Sequence, residues 1–229
     1  MVENAATTIA DRSVTRAELA TAEGPGHLVG CDLDEAGLKG LDLSGWTFER
    51  CTLRRADLSG ARLERTSWEN CRGAFANFVG ARLEDAAFEA SDFNNASFRR
   101  TVLSSAGFRS CKLTGADFTD ARSLGVSFAE TLLVAAKLPG FSFRKATLRG
   151  LDLSSADLSA CDFRDAVFEG SSLREASIEA ARFEDADLRG ADLGGLPVLK
   201  ELARFRGAAI STTQAALLLK ELGLNVLPR

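Results

Sequence analysis

The chain has 229 residues, a formal net charge of −4 and 45% hydrophobic residues, which suits a packed fold and excludes a disordered polyelectrolyte. No apolar run reaches the ~18 residues that a membrane helix needs, and the N-terminus has no basic-then-apolar signal pattern, so the expectation is a cytoplasmic protein without membrane contact. His27 is the single histidine, and with no glycine-rich phosphate loop and no metal-ligand motif the sequence predicts neither an enzyme nor a bound cofactor or metal.

Residues 1–27 are polar and read as an N-terminal leader or as a cap on the adjoining segment. Thr15-Arg16-Ala17-Glu18 has the spacing of a capping box, which predicts a short helix that Gly24-Pro25-Gly26 would end.

From Leu28 to Leu193 a bulky apolar residue recurs at every fifth position, and only Gly73 and Ser123 break the rule. A period of five fits neither a helix nor an ordinary strand. Two residues before each of these positions a second series is small, with Ala56, Ala61, Ala96, Ala156 and Ala186 as examples. Stretches such as Ala56-Asp57-Leu58-Ser59-Gly60 and Ala186-Asp187-Leu188-Arg189-Gly190 resemble the pentapeptide-repeat family. That resemblance implies an all-β solenoid over residues 28–195, a right-handed quadrilateral β-helix of about eight coils with one pentapeptide per side, in which residues 20 apart stack. Stacked repeats bury a continuous interior that no single repeat can bury alone.

All five cysteines, Cys31, Cys51, Cys71, Cys111 and Cys161, fall in the small inward series and are expected to be buried structural thiols. Phe75, Leu132 and Val134 fall instead at outward positions of one side. Gly73 leaves a gap in the bulky series that Phe75 could fill by a local shift, so this region is either a local adjustment of packing or an apolar contact patch for a partner. Glu49, Glu69 and Glu89 should stack as a ladder of like charge, with Arg50 and Arg65 available to neutralise it.

Residues 196–229 lie beyond the repeat. Val198–Phe205 is predicted as a short amphipathic helix, and a second helix comes after it, with Ser211 as N-cap, Gln214 at N3 and Gly223 just past its end. The second helix is apolar over much of its circumference, so one flank can cover the last coil while the other needs a further partner. A homodimer is expected through this segment, with Leu217, Leu218, Leu222, Leu224, Val226 and Leu227 at the interface; the alternative is a simple monomeric end cap.

Arg206-Gly207-Ala208-Ala209-Ile210, Gln214-Ala215-Ala216-Leu217-Leu218-Leu219 and Leu222-Gly223-Leu224-Asn225-Val226 are similar to the C-terminal dimerisation segment of Qnr- and MfpA-type pentapeptide-repeat proteins. This resemblance implies a DNA mimic that binds DNA gyrase or topoisomerase IV and protects it from quinolones or natural-product poisons. The unbroken five-residue register sides with the loop-free, MfpA-like members. The alternative is a scaffolding solenoid that mediates protein contacts and has no topoisomerase role.

Charge is unevenly spread along the chain. Residues 151–195 carry four basic against eleven acidic residues, next to the C-terminal segment, a field that would steer a basic partner and repel nucleic acid, so no direct nucleic-acid binding is expected. Asp165, Glu169, Glu175, Glu179, Glu184 and Asp185 occupy positions that the repeat leaves free, which makes them the candidate acidic docking surface.

Overall fold

A computed structural model describes residues 7–22, 24–221 and 223–227. It is a parallel β-solenoid of about nine turns with a short C-terminal helix, and it divides into two compact units, Met1–Lys137 and Leu138–Arg229. The four sides of the coil, A to D, take their letters from the inward residues Leu28, Leu33, Leu38 and Leu43 in that order.

In the first unit, side A is a seven-stranded parallel sheet of β1 (Thr8–Ala10), β2 (His27–Val29), β3 (Thr47–Glu49), β4 (Ser67–Glu69), β5 (Ala87–Glu89), β6 (Gly107–Arg109) and β7 (Ser127–Ala129). Thr47 pairs with Ser67, and Ser67 with Ala87, so residues 20 apart stack. The solenoid starts one turn earlier than the repeat pattern, because β1 pairs with β2 through Thr8 and His27. Between them, α1 (Arg16–Thr21) carries the complete Thr15/Glu18 capping box and buries Leu19. Arg16 donates to the carbonyls of Gly37 and Lys39, both at 2.9 Å, which ties α1 to the first full coil.

The second unit contains a three-stranded parallel sheet of β8 (Thr147–Arg149), β9 (Val167–Ser172) and β10 (Asp187–Asp192), then a 3-10 turn at Leu202–Phe205 and α2 (Thr212–Glu221). The helix expected over Val198–Phe205 is thus only a four-residue 3-10 turn. The reason is that the chain continues the coil: Phe183 N–H donates to Arg204 O and Leu188 N–H to Ala209 O. Phe205 stacks on Phe183 with ring centroids 4.7 Å apart, extending the Phe143–Phe163–Phe183 column.

The period of five arises from the turns. On sides B, C and D a residue such as Ala36 donates its N–H to the carbonyl three back, Leu33 (3.1 Å). The residue between, Glu35, has φ 59°. A positive φ at the third position of a turn is the type II signature and favours Gly or Asn. Each turn points one bulky and one small residue inward, and the bulky ones stack in columns. On side A the column runs Phe48, Trp68, Phe88, Phe108, Phe128, with successive rings near parallel. Phe78, Phe98 and Phe118 form a second column that meets the first edge-on, a favourable arrangement for aromatic quadrupoles.

Gly73 is accommodated differently from the sequence expectation. The ring of Phe93, one turn further on, leans over Gly73 and occupies the space its side chain would take. Phe75 does not fill the gap; it is 57% exposed.

Candidate functional site

Where side A meets side B, a column of small residues holds a buried polar ladder. Ser91 Oγ accepts the N–H of Cys71 at 2.9 Å and lies 2.8 Å from the Glu89 carbonyl and 3.1 Å from that of Trp68. Thr131 does the same for Cys111 N–H, and Ser171 for Leu151 N–H. The thiols of Cys51, Cys71 and Cys111 point to carbonyls of the preceding turn at 3.2–3.4 Å. The cysteines are therefore more than small apolar fillers, since their thiols also reach backbone carbonyls of the turn before. Burial raises the Cys111 thiol to about 11 and the Cys161 thiol to about 12, so neither supplies a thiolate near neutral pH. No group of His, Cys, Asp and Glu among the described residues is arranged to hold a metal ion.

The Glu49–Glu69–Glu89 ladder is present, in register on β3, β4 and β5. Arg50 pairs with Glu49, and His27 Nε2 lies 3.2 Å from the same carboxylate. Glu64, 9% exposed, receives Arg82 at 2.9 Å and the Ser44 hydroxyl at 2.9 Å.

The six candidate acids do not share one face. Glu169 lies on side A, Glu175 on B, Glu179 on C, and Asp165, Glu184 and Asp185 on D. Asp165 and Glu184 are brought together, the N–H of the first donating to the carbonyl of the second at 3.1 Å.

Arginines also neutralise part of the block. Arg149 reaches Glu169 at 2.6 Å, Arg144 reaches Asp165 at 3.5 Å and Arg182 reaches Glu184 at 3.4 Å. Asp162, Asp192 and Asp187 are held by Arg164, Arg174 and Arg189, and the Arg189 guanidinium lowers the Asp187 carboxyl to about 2. These arginines sit two residues from their acids or on a neighbouring turn. In an extended chain residues two apart share a face.

Glu175 and Glu179 are exposed, and no ion pair among the described residues engages them, Asp185, Asp152 or Asp157. Asp152 and Asp157 instead each cap their own turn, through Ser154 N–H and Ser159 N–H. Unpaired negative charge in the second unit therefore concentrates on sides B and C, around Asp152, Asp157, Glu175 and Glu179.

At the C-terminal end the Ser211/Gln214 box forms as expected, with Gln214 N–H to Ser211 Oγ at 3.1 Å and Ser211 N–H to Gln214 Oε1 at 2.6 Å. Gly223 has φ 79°, as a residue just past a helix end should. The Gln214 amide also donates to the carbonyls of Leu188 and Ala191, both at 2.7 Å, clamping α2 to the last coil. Leu218, expected at a subunit interface, is instead buried at 5% exposure, because it faces the last coil of its own chain beside Leu193. Leu217, Leu224, Val226 and Leu227 are exposed; Leu222 lies outside the described residues. A groove of about 530 Å³ runs between α2 and the last turn, with Ala191, Leu193 and Leu217 on its walls and Arg174, Lys220 and Glu221 at its rim.

Leu132 is 40% exposed, Val134 is half-buried, and both share side B with Phe75. No helix among the described residues is long and apolar enough to cross a membrane.

A family model described as a pentapeptide repeat region matches residues 61–138, and one for eight copies of the pentapeptide repeat matches residues 127–165 and 156–195. The chain belongs to the pentapeptide-repeat family. No curated protein matches it in sequence. Among solved structures, full-length QnrB1, a plasmid-mediated fluoroquinolone resistance protein, is similar at 22% identity and a TM-score of 0.70, over 96% of this chain and 98% of that one. A trypsin-treated point variant of QnrB1 is similar at 26% identity and a TM-score of 0.56, over 88% of this chain and 97% of that one. HetL, a pentapeptide-repeat protein involved in heterocyst differentiation regulation in Nostoc sp. strain PCC 7120, is similar at 26% identity and a TM-score of 0.56, over 82% and 87%.

Proposed function

We propose that this pentapeptide-repeat protein is a cytoplasmic homodimer that binds a type II topoisomerase, DNA gyrase or topoisomerase IV, on a surface that otherwise holds duplex DNA, and protects the enzyme from poisons such as quinolones. The observation that carries this reading is the unpaired acidic charge on sides B and C of the second unit, next to a C-terminal segment in which Leu217, Leu224, Val226 and Leu227 are exposed. Two such acidic surfaces beside a two-fold axis attract a basic, DNA-binding groove over long range. Residues 196–229 act as cap and dimerisation segment, with Leu217, Leu224, Val226 and Leu227 on the subunit interface and the groove beside α2 receiving part of the second copy. The likeness of the fold to QnrB1 supports the same reading.

A scaffolding role is the second reading. It is favoured by the likeness of the fold to HetL and by the arginines that neutralise Asp165, Glu169 and Glu184. The two separate in a supercoiling assay. The topoisomerase reading expects micromolar protein to inhibit gyrase supercoiling or to rescue it from a fluoroquinolone, and a scaffold leaves both untouched.

A further inference from the structure

Side B of the first unit carries a feature that the acidic surface does not use. Its two outward turn positions hold Asp34–Glu35 and then Arg54–Arg55, joined across the turn by ion pairs. Over the next four turns the same positions are Ala74–Phe75, Asn94–Asn95, Thr114–Gly115 and Val134–Ala135, none of them charged. In a chain that is 26% charged, this strip of turn positions is apolar at both ends and uncharged between them, and the third outward position of the same side, which stacks as Arg72, Asp92, Lys112 and Leu132, edges it with charge up to Leu132.

Phe75 breaks two local rules at once. It is 57% exposed, and it has φ 62°, a left-handed conformation that is an outlier for a bulky residue and that Gly, Asn or Asp adopt at less cost. Among the described residues with positive φ it is the one large apolar side chain; the others are glycine, alanine, polar or charged. Phe75 does not fill the gap at Gly73, which Phe93 takes, and it leaves more than half of its own surface exposed. Local rules broken without a packing return mark functional positions.

Phe75 and the Leu132/Val134 pair are three turns apart, ~14 Å at one strand spacing per turn. An α-helix rises 1.5 Å per residue, so apolar residues at i, i+4, i+7 and i+11 form a stripe of ~16 Å on one face. Between the two apolar points the turn positions are short and uncharged, with the Asn95 side chain lying over Gly115. The strip is one side wide and four turns long, far below the ~800 Å² per partner of a stable dimer, which argues against a second copy of this chain as its occupant. We infer that side B of the first unit docks one amphipathic α-helix of the partner protein along the stacking direction, with Phe75 as its anchor. This rests on the topoisomerase reading and adds to it a contact that does not depend on charge.

The test is binding of purified full-length protein to DNA gyrase at 50 and 300 mM salt. Phe75→Asn, which suits a left-handed position, should keep the β-sheet circular dichroism signal and an unchanged or higher urea midpoint, while affinity falls about tenfold at both salt concentrations. Leu132→Thr combined with Val134→Thr should behave alike. Gyrase affinity of Phe75→Asn equal to wild type at both salts overturns the inference and leaves the topoisomerase reading standing, whereas absence of wild-type binding already at 50 mM salt overturns both. With p-benzoylphenylalanine at position 75, photo-crosslinks should map to an amphipathic helical segment of gyrase; crosslinks to a second copy of this chain, or to a charged extended segment, contradict the assignment.

Discussion

The ring of Phe93 lies where the side chain of residue 73 would be: a Cβ on Gly73 would collide with Cδ1 and Cε1 of Phe93. One missing side chain and one leaning ring thus fill a single volume. Phe93 also meets Trp68, Phe78 and Phe88 at steep angles, so it joins two aromatic columns. Gly73→Ala should cost about 1–3 kcal/mol as overpacking, and Phe93→Ala about 3–5 kcal/mol as a cavity. The double variant Gly73→Ala/Phe93→Ala should lose less than the sum of the two singles, because the added methyl then meets a cavity instead of a ring. Urea denaturation of the full cycle checks the coupling.

The buried ladder gives a second expectation. Ser91→Ala strands the Cys71 N–H, held by Ser91 Oγ at 2.9 Å, and should cost about 1–3 kcal/mol. Ser91→Cys and Cys111→Ser, which keep a polar atom in the same column, should each cost less. Equal losses in all three by thermal denaturation would mean that size, and not backbone satisfaction, governs this column.

The cap at α1 should respond to acid. The Thr15 backbone N–H, the Thr15 hydroxyl and then Arg12 lower the Glu18 carboxyl from its ordinary 4.5 to about 2. A carboxylate depressed in the folded state contributes stability that is fully present above the unfolded value and is lost as pH falls through the folded one. Hydrogen exchange of residues 16–21 should therefore accelerate between about pH 4.5 and pH 2, beyond the intrinsic pH effect on exchange. Glu18→Ala should show the faster exchange already at neutral pH.

Gln214→Ala removes two donations to the last coil, to Leu188 O and Ala191 O, together with half of the α2 capping box. It should cost about 1–3 kcal/mol and expose Leu218. Limited proteolysis should then cleave near α2 before it attacks the coils, and light scattering should report loss of the proposed dimer.

The period of five made the solenoid legible, because each side repeats the same turn with one bulky and one small inward residue. The Ser211/Gln214 box and Gly223 were equally legible, since helix caps are local chemistry. The first turn was not: Thr8-Ile9-Ala10 pairs with β2 at an offset of nineteen residues, Thr8 to His27, because α1 interrupts the pattern. Val198–Phe205 carried a helix-like apolar spacing, yet Phe205 is drawn into the Phe183 column and the coil prevails. The acids were readable as a sum but not as a surface, because Arg149 reaches Glu169 from the preceding turn. The burial of Leu218 beside the last coil was not legible, since the Gln214 clamp that fixes the rotation of α2 has no local sequence signature.

In the proposed function, unpaired carboxylates on sides B and C of the second unit engage the topoisomerase. The most direct measurement is the salt dependence of gyrase binding for wild type and for Glu175→Gln/Glu179→Gln, with duplex DNA as competitor. Exposed charges are screened beyond roughly 10 Å at 0.1 M salt. Wild-type affinity should fall as salt rises from 50 to 300 mM, DNA should compete, and the double variant should bind more weakly with a shallower salt slope while keeping its fold and its oligomeric state. Gyrase affinity that is unchanged in the variant, insensitive to salt and unaffected by DNA would contradict it.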